Sequence, residues 1–305
     1  MAHFFSVKWV IVYLFVLSTI YVHFRGKKRL RLMRQIGDQS TFMAPINCLM
    51  YLFSKVPNQP YQNLQDFPEL KVFKEHWPVI RDEGLKLMEL GAIKTSNKHD
   101  DAGFNTFFKR GWKRFYLKWY DSAHPSAKEL CPETVRLLEQ VPNVKAAMYT
   151  YLPAGARLGA HRDPFAGSLR YHLGLVTPNS EDCFILVDGQ KYAWHDGEDV
   201  LFDETFIHEA HNNTEEGRLI FFCDVLRPMR TPIGRALNAF FSNTLMKAAS
   251  SPNSDTDRTG LINKIFKYFH LIREAGQSLK RKNRRLYYLT KYSLFIIILA
   301  LIIFL

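Results

Sequence analysis

Residues 4–24, FFSVKWVIVYLFVLSTIYVHF, are apolar almost throughout and present no polar face. Twenty-one residues at helical rise cover about 30 Å, the thickness of a bilayer's hydrocarbon core, so the run predicts a transmembrane helix over residues 1–24. A second apolar run, YSLFIIILALIIFL, occupies residues 292–305 and predicts a shorter membrane helix over 286–305 when counted from Leu286. Between them, VFKEHWPVIRDEGLKLMEL and PSAKELCPETVRLLEQV have the apolar spacing of helices, with Ser126 and Glu129 placed for a capping box. From about 143 to 226 the texture changes to short runs rich in Val, Ile, Phe and Tyr, punctuated by Pro153, Gly155, Gly159, Asp188-Gly189 and Asp196-Gly197. Such spacing predicts an antiparallel sandwich or barrel, and Asp-Gly predicts a hairpin turn. RALNAFFSNTLMKAA and LINKIFKYFHLIREA return to helical periodicity, separated by SSPNSDTDRTG, residues 250–260, which reads as a flexible linker.

This pattern divides the chain into an N-terminal membrane helix (1–24), a basic juxtamembrane approach (25–69), a central α+β domain (70–232), helices with a linker (233–285) and the C-terminal membrane helix (286–305). The net charge of +12 first suggests nucleic acid, but its distribution argues otherwise. Residues 25–34, RGKKRLRLMR, hold six basic residues and no acid, and residues 280–291, KRKNRRLYYLTK, hold six more. Removing these twelve from 41 leaves 29 basic against 29 acidic residues, a neutral body with no basis for nucleic-acid binding.

Each basic cluster abuts an apolar run. Lys and Arg accumulate on the cytoplasmic side of membranes, so both clusters and the central domain are expected to face the cytoplasm, with anionic headgroups as the clusters' ligands. A cleaved signal peptide would carry its charges before the apolar run rather than after it. Cys48, Cys131, Cys183 and Cys223 are widely scattered and form no C-x-x-C pair, which fits reduced thiols. Oligomeric state is not legible.

The stretch GAHRDPFAGSLRYHLGL, residues 159–175, places two His, two Arg and one Asp among apolar segments. His161 and Asp163, one residue apart, project to the same side of an extended chain. A third ligand must come from a distant strand, and LFDETFIHEAHNNTEEGRLIFFCDV offers His208 and His211, which face opposite ways on a strand. Two His and one carboxylate leave half of an octahedral iron open. Arg218 begins the apolar run RLIFFCDV, where a buried guanidinium needs an anionic partner, and a dicarboxylate cosubstrate would supply one. FNTFFKRGWKRFYLKWY, residues 104–120, interleaves aromatic and basic residues and reads either as a lipid-phosphate contact or, slightly favoured, as a hairpin with one wet face.

These motifs, H161-R-D163, R170-Y-H172-L-G-L, F206-I-H208-E and R218-L-I-F-F-C-D-V, together resemble the aspartyl/asparaginyl β-hydroxylase family of Fe(II)/2-oxoglutarate dioxygenases, over roughly residues 143–230. The basic, two-anchored frame is similar to that of bacterial members acting on lipid A. The resemblance implies a double-stranded β-helix core (jelly-roll, cupin-like, about 143–230) with flanking helices, and a hydroxylase using Fe(II), 2-oxoglutarate and O2. It implies iron ligation by His161, Asp163 and His208, Arg218 and Thr150 on the distal carboxylate of 2-oxoglutarate, and Arg170 with His172 on the metal-side carboxylate. His208 rather than His211 occupies the family position. Animal members keep only two histidines, whereas this chain has Asp163. The implied reaction is 2-hydroxylation of an acyl chain of lipid A, or a related anionic glycolipid, at the cytoplasmic face of the bacterial inner membrane. The alternatives are hydroxylation of Asp or Asn in proteins and a membrane-tethered sensor of 2-oxoglutarate or metal without turnover.

Overall fold

The computed structural model describes residues 6–96, 101, 103–120 and 122–304; the first five residues and Leu305 of the expected terminal helices lie outside them. Eleven strands are present among the described residues: β1 (Tyr61–Gln62), β2 (Lys113–Trp119), β3 (Ser122–Ala123), β4 (Val144–Leu152), β5 (Arg157–His161), β6 (Ser168–Val176), β7 (Cys183–Val187), β8 (Gln190–Ala193), β9 (Asp199–Phe202), β10 (His208–Asn212) and β11 (Arg218–Leu226). They form a large sheet in the order β1-β9-β6-β11-β4-β2-β3 and a smaller one in the order β5-β10-β7-β8. All ladders are antiparallel. From β4 to β11 the chain passes back and forth between the two sheets, the winding of a jelly roll. The β7–β8 hairpin turns on Asp188 and Gly189, both at positive φ (51° and 83°), as a type I′ turn requires.

Period-two alternation on β4, β6 and β11 separates two cores. Odd positions such as Tyr149, Tyr171, Leu173 and Phe221 face outward and pack Phe73, Ile80 and Leu87 of helices Lys71–Glu75 and Trp77–Glu89. Each fully buried ring there contributes about 2–3 kcal/mol of burial. The helix approaches closely at Gly84, where an added Cβ would lie 3.0 Å from the Tyr149 ring. Even positions, including Thr150, Arg170, His172, Arg218, Ile220, Phe222 and Asp224, are buried on the other face of the same strands, toward the smaller sheet. The large sheet is thus covered on both faces, and its inner face carries the chemistry.

Several expectations from the sequence are corrected. PSAKELCPETVRLLEQV forms two helices, Pro125–Leu130 and Pro132–Glu139, because Pro132 holds Cys131 out of the helical region. The Ser126 capping box does not form. Instead Asp257 caps that helix, its carboxylate accepting from the Ser126 amide (3.1 Å) and hydroxyl (2.7 Å). Residues 250–260 are consequently not a free linker: Ser251, Asn253 and Asp257 are buried, and Asn253 bonds both the amide and the carbonyl of Tyr116 at 2.7 Å. The expected wet face of residues 104–120 is mostly buried, and the hairpin there is short, β2 turning back into the two-residue β3. A short helix, Asn105–Phe108, leads into β2, which extends the large sheet beside β4 and is mostly buried, with Arg114 paired to Asp101 at 3.0 Å.

Among the described residues one helix, Val7–Phe24, has the length and mean hydropathy (1.7) of a membrane span, with 6% of it buried. A second helix, Arg284–Phe304, covers the C-terminal run. The basic segment after Val7–Phe24 is partly structural rather than wholly free for headgroups. Arg25 is buried between the rings of Tyr51 (3.9 Å) and Phe206 (4.0 Å) and donates to Asp203 at 2.6 Å. Asp188 accepts from the Lys27 and Lys28 amides at 3.0 and 2.7 Å, and Arg34 donates to the Ala160 carbonyl at 2.6 Å. The hydrophobic helix is therefore tied directly to the jelly roll.

Candidate metal centre

His161 and His208 sit opposite each other in the β5–β10 ladder, His208 pairing with His161 while Ala210 pairs with Leu158. Two steps along β10 match three along β5, so β5 carries one extra residue, a bulge. In a regular strand Leu158 and His161 would face opposite ways; the bulge turns both toward the interior. Their rings lie 4.2 Å apart, centroid to centroid. The nitrogen Nδ1 of His161 is held by the Gly159 carbonyl at 2.8 Å and that of His208 by the Phe206 carbonyl at 3.0 Å, which leaves both Nε2 atoms free for a ligand. Asp163 follows on the loop after β5, its amide bonded to the Glu204 carbonyl at 3.0 Å and one oxygen 3.7 Å from His161 Nε2. One donor atom from each of His161, Asp163 and His208 lies within 4.8 Å of the others.

Electrostatics prepare these groups for a cation. Burial lowers His208 to about 3, helped by neighbouring His161, and burial also lowers His161, so both imidazoles are neutral. Burial alone would raise Asp163, but Arg170, His208 and His161 together hold it below the usual carboxylate value. Neutral imidazole and ionised carboxylate are the forms that bind metal. Three buried carboxyl groups, Asp163, Asp224 and Glu204, crowd one cation, Arg170, and burial pushes Asp224 and Glu204 upward. A dication beside Asp163 would offset that excess of acid.

Behind the cluster lies a cavity shared by Thr150, His172, Trp194, Arg218 and Phe222. Its polar groups lack partners. The Arg218 guanidinium stacks on Trp194 at 3.9 Å with Nε and Nη1 unbonded, and both nitrogens of His172 and the Thr150 hydroxyl are likewise unpaired. Burial lowers Arg218 to about 10. Unpaired buried groups are costly in an isolated chain, and five such atoms on three side chains of one cavity fit an anionic, oxygen-rich molecule such as 2-oxoglutarate.

The structure thus brings His161, Asp163 and His208 to one point and Arg218, Thr150 and His172 to the adjoining cavity. Arg170, expected on the metal-side carboxylate, lines the same cavity, and its guanidinium is held by Asp163 (2.7 Å) and Asp224 (2.8 Å) above the Phe222 ring. His211 stacks on Phe184 at 5.0 Å, away from the cluster, and Arg162 points toward Gln35 (3.1 Å). Sequence reasoning missed Asp224, Glu204 and the wall formed by Phe104, Phe107 and Trp112. Asp224, an acid within the apolar β11 run, was the available signal: it shares a strand with Arg218 yet pairs with Arg170.

A jelly roll whose interior carries a two-histidine, one-carboxylate cluster beside an unpaired arginine has the donor set of a candidate metal centre next to a cavity suited to an anion. The match to the Aspartyl/Asparaginyl beta-hydroxylase family model runs over residues 74–228, about half of the chain, and the chain belongs to that family. It is 30% identical over 186 residues to an ornithine lipid ester-linked acyl 2-hydroxylase of Rhizobium tropici, a match covering 59% of this chain and 65% of that protein. It is 32% identical over 168 residues to the human aspartyl/asparaginyl beta-hydroxylase, covering 53% of this chain and 22% of that protein. The matches therefore span less than two thirds of either relative. Among solved structures, a Pseudomonas putida prolyl-4-hydroxylase aligns with 50% of this chain and 87% of its own at a TM-score of 0.34 and 14% identity.

Proposed function

We propose that the protein is an Fe(II)/2-oxoglutarate-dependent dioxygenase that hydroxylates a fatty acyl chain of a membrane lipid at the 2-position. The observation that carries this reading is the Arg218 guanidinium behind the three ligands, buried in the same cavity with no acidic partner. Iron, when bound with 2-oxoglutarate and O2, supplies insertion of one oxygen atom into a C–H bond, the cosubstrate leaving as succinate and CO2. His161, Asp163 and His208 would hold the metal, and Arg218 with Thr150 would grip the distal carboxylate. His172, kept neutral by burial and by the nearby Arg170, offers one N–H to the cosubstrate. Arg170, fixed by Asp224, holds Asp163 in its ligating orientation. Phe107, 4.7 Å from the His161 ring, and Trp112 help exclude water from the reacting centre.

The lipid substrate is supported by the acyl 2-hydroxylase relative and by the apolar Val7–Phe24 helix tied to the catalytic body through Arg25. An acyl chain of lipid A or a related anionic glycolipid, at the cytoplasmic face of the bacterial inner membrane, is the particular substrate proposed. The human relative keeps Asp or Asn side chains of proteins as the competing substrate class. Mass spectrometry of lipids from cells expressing the intact chain should show a gain of one oxygen that is absent with His161→Ala. Matching lipid profiles, with oxygen gained instead by peptides incubated with the purified protein, would move the assignment to protein hydroxylation.

A further inference from the structure

A second chamber, of about 360 Å³, adjoins the metal centre. Asp163, Arg170 and Phe104 line both spaces, so the ligand carboxylate stands at their junction. At that end the chamber is polar, with Ser168, Glu204 and Asp224 beside Arg170. Away from it the wall is mostly apolar, formed chiefly by Phe42, Met43, Trp119, Leu245, Met246 and Ile262, while Asp101 there is neutralised by Arg114 at 3.0 Å and Gln39 lies near Phe42 in the chain. Phe42 is 68% exposed at the rim, on the short helix Gln39–Phe42 that packs against Val7–Phe24. The chamber thus runs from the ligand cluster toward the segment that carries the candidate membrane span.

We infer that this chamber holds the hydrocarbon tail of the acyl chain being hydroxylated, with the carbonyl end at the polar floor beside Asp163. The inference rests on the acyl-hydroxylase reading and adds where the chain lies and why a carbon near the carbonyl reacts. Polarity orients the chain. A methylene tail gains by leaving water only along the Phe42 to Ile262 wall, whereas the ester or amide oxygen needs the hydrogen-bonding groups at the other end. The carbon next to the carbonyl then lies nearest the ligand cluster. The chamber's apolar length also sets a preferred tail length, since each buried methylene strengthens binding roughly fourfold until the wall ends.

The test uses the full-length protein in mixed micelles with Fe(II), 2-oxoglutarate, O2 and a homologous series of lipids that share one headgroup and differ in acyl length. For the wild-type chain, KM is expected to fall roughly fourfold per added methylene and then level off. Ala249→Leu, which fills the chamber, should move that plateau to shorter chains, and Met246→Ala, which enlarges it, to longer ones. The opposite signs cannot both come from damage to the fold, and thermal unfolding of each variant monitors it. Lipid hydroxylation whose length preference is the same in all three proteins overturns the chamber assignment while leaving the acyl-hydroxylase reading intact. Absence of lipid hydroxylation by the wild-type chain overturns both.

Discussion

Replacing Arg218 by methionine separates stability from binding. In the unliganded protein the guanidinium is 2% exposed, stacks on Trp194 and leaves two donor nitrogens unbonded. Burial lowers its pKa to about 10, so holding the charge there costs the folded state on the order of a few kcal/mol. Methionine keeps most of the apolar stem's packing without the charge. Arg218→Met is therefore expected to stabilise the ligand-free protein by about 1–3 kcal/mol, raising Tm by roughly 2–4 °C per kcal/mol. The same change removes a charge-assisted fork worth about 3–4 kcal/mol to a bound carboxylate, so the Kd for 2-oxoglutarate should rise about 100- to 1000-fold. Thermal unfolding with and without 2-oxoglutarate and Mn(II), in the absence of O2, reads both quantities, since a ligand bound only to the folded state raises Tm with the logarithm of its concentration over Kd. A variant that is less stable without ligand and still binds 2-oxoglutarate within about threefold of wild type would refute the assignment and make Arg218 a structural residue.

Two further changes test supporting interactions. Asp224→Asn removes one of the two carboxylates that fix Arg170, and metal affinity, measured by Mn(II) titration, should drop about 10- to 100-fold; an affinity within about twofold of wild type would mean that Arg170 does not position Asp163. Arg25→Met leaves Arg227 as the ionic partner of Asp203, beside its hydrogen bonds from Thr205, and should cost about 3 kcal/mol at neutral pH by urea unfolding. Burial would raise Asp203, but Arg227 and Arg25 hold it well below the usual carboxylate range. That contribution is complete above the unfolded pKa of about 4 and is lost as pH falls further, so the gap between wild type and variant should narrow below about pH 4. A gap independent of pH would show that the ion pair is not its source.

Much of the site was legible along the chain because its signals are local. His161 and Asp163 share a side by their spacing, His208 and His211 part by theirs, and the Asp188-Gly189 turn follows from two residues that tolerate positive φ. Arg218, alone at the head of an apolar strand, announced a missing anion. The same local reasoning failed where partners came from far away. Ser126 looked like its own helix cap, but Asp257, 131 residues later, took that place. Arg170 looked free for a cosubstrate until β11 laid Asp224 beside it.

The amino-acid sequence alone determined the period-two strands, the apolar N-terminal helix, the neutral body between basic clusters, and which residue types could bind metal and dicarboxylate. Those properties depend on neighbours a few positions apart, where backbone geometry leaves little choice. Only the tertiary structure decided that a one-residue bulge in β5 turns His161 toward His208, that Arg170 pairs with Asp163 and Asp224, and that Arg25 leaves the basic cluster for Asp203. Each of those outcomes joins groups on different elements. The free energy of burying a charge depends on which partner the folded chain delivers to it, and that is a property of topology rather than of spacing.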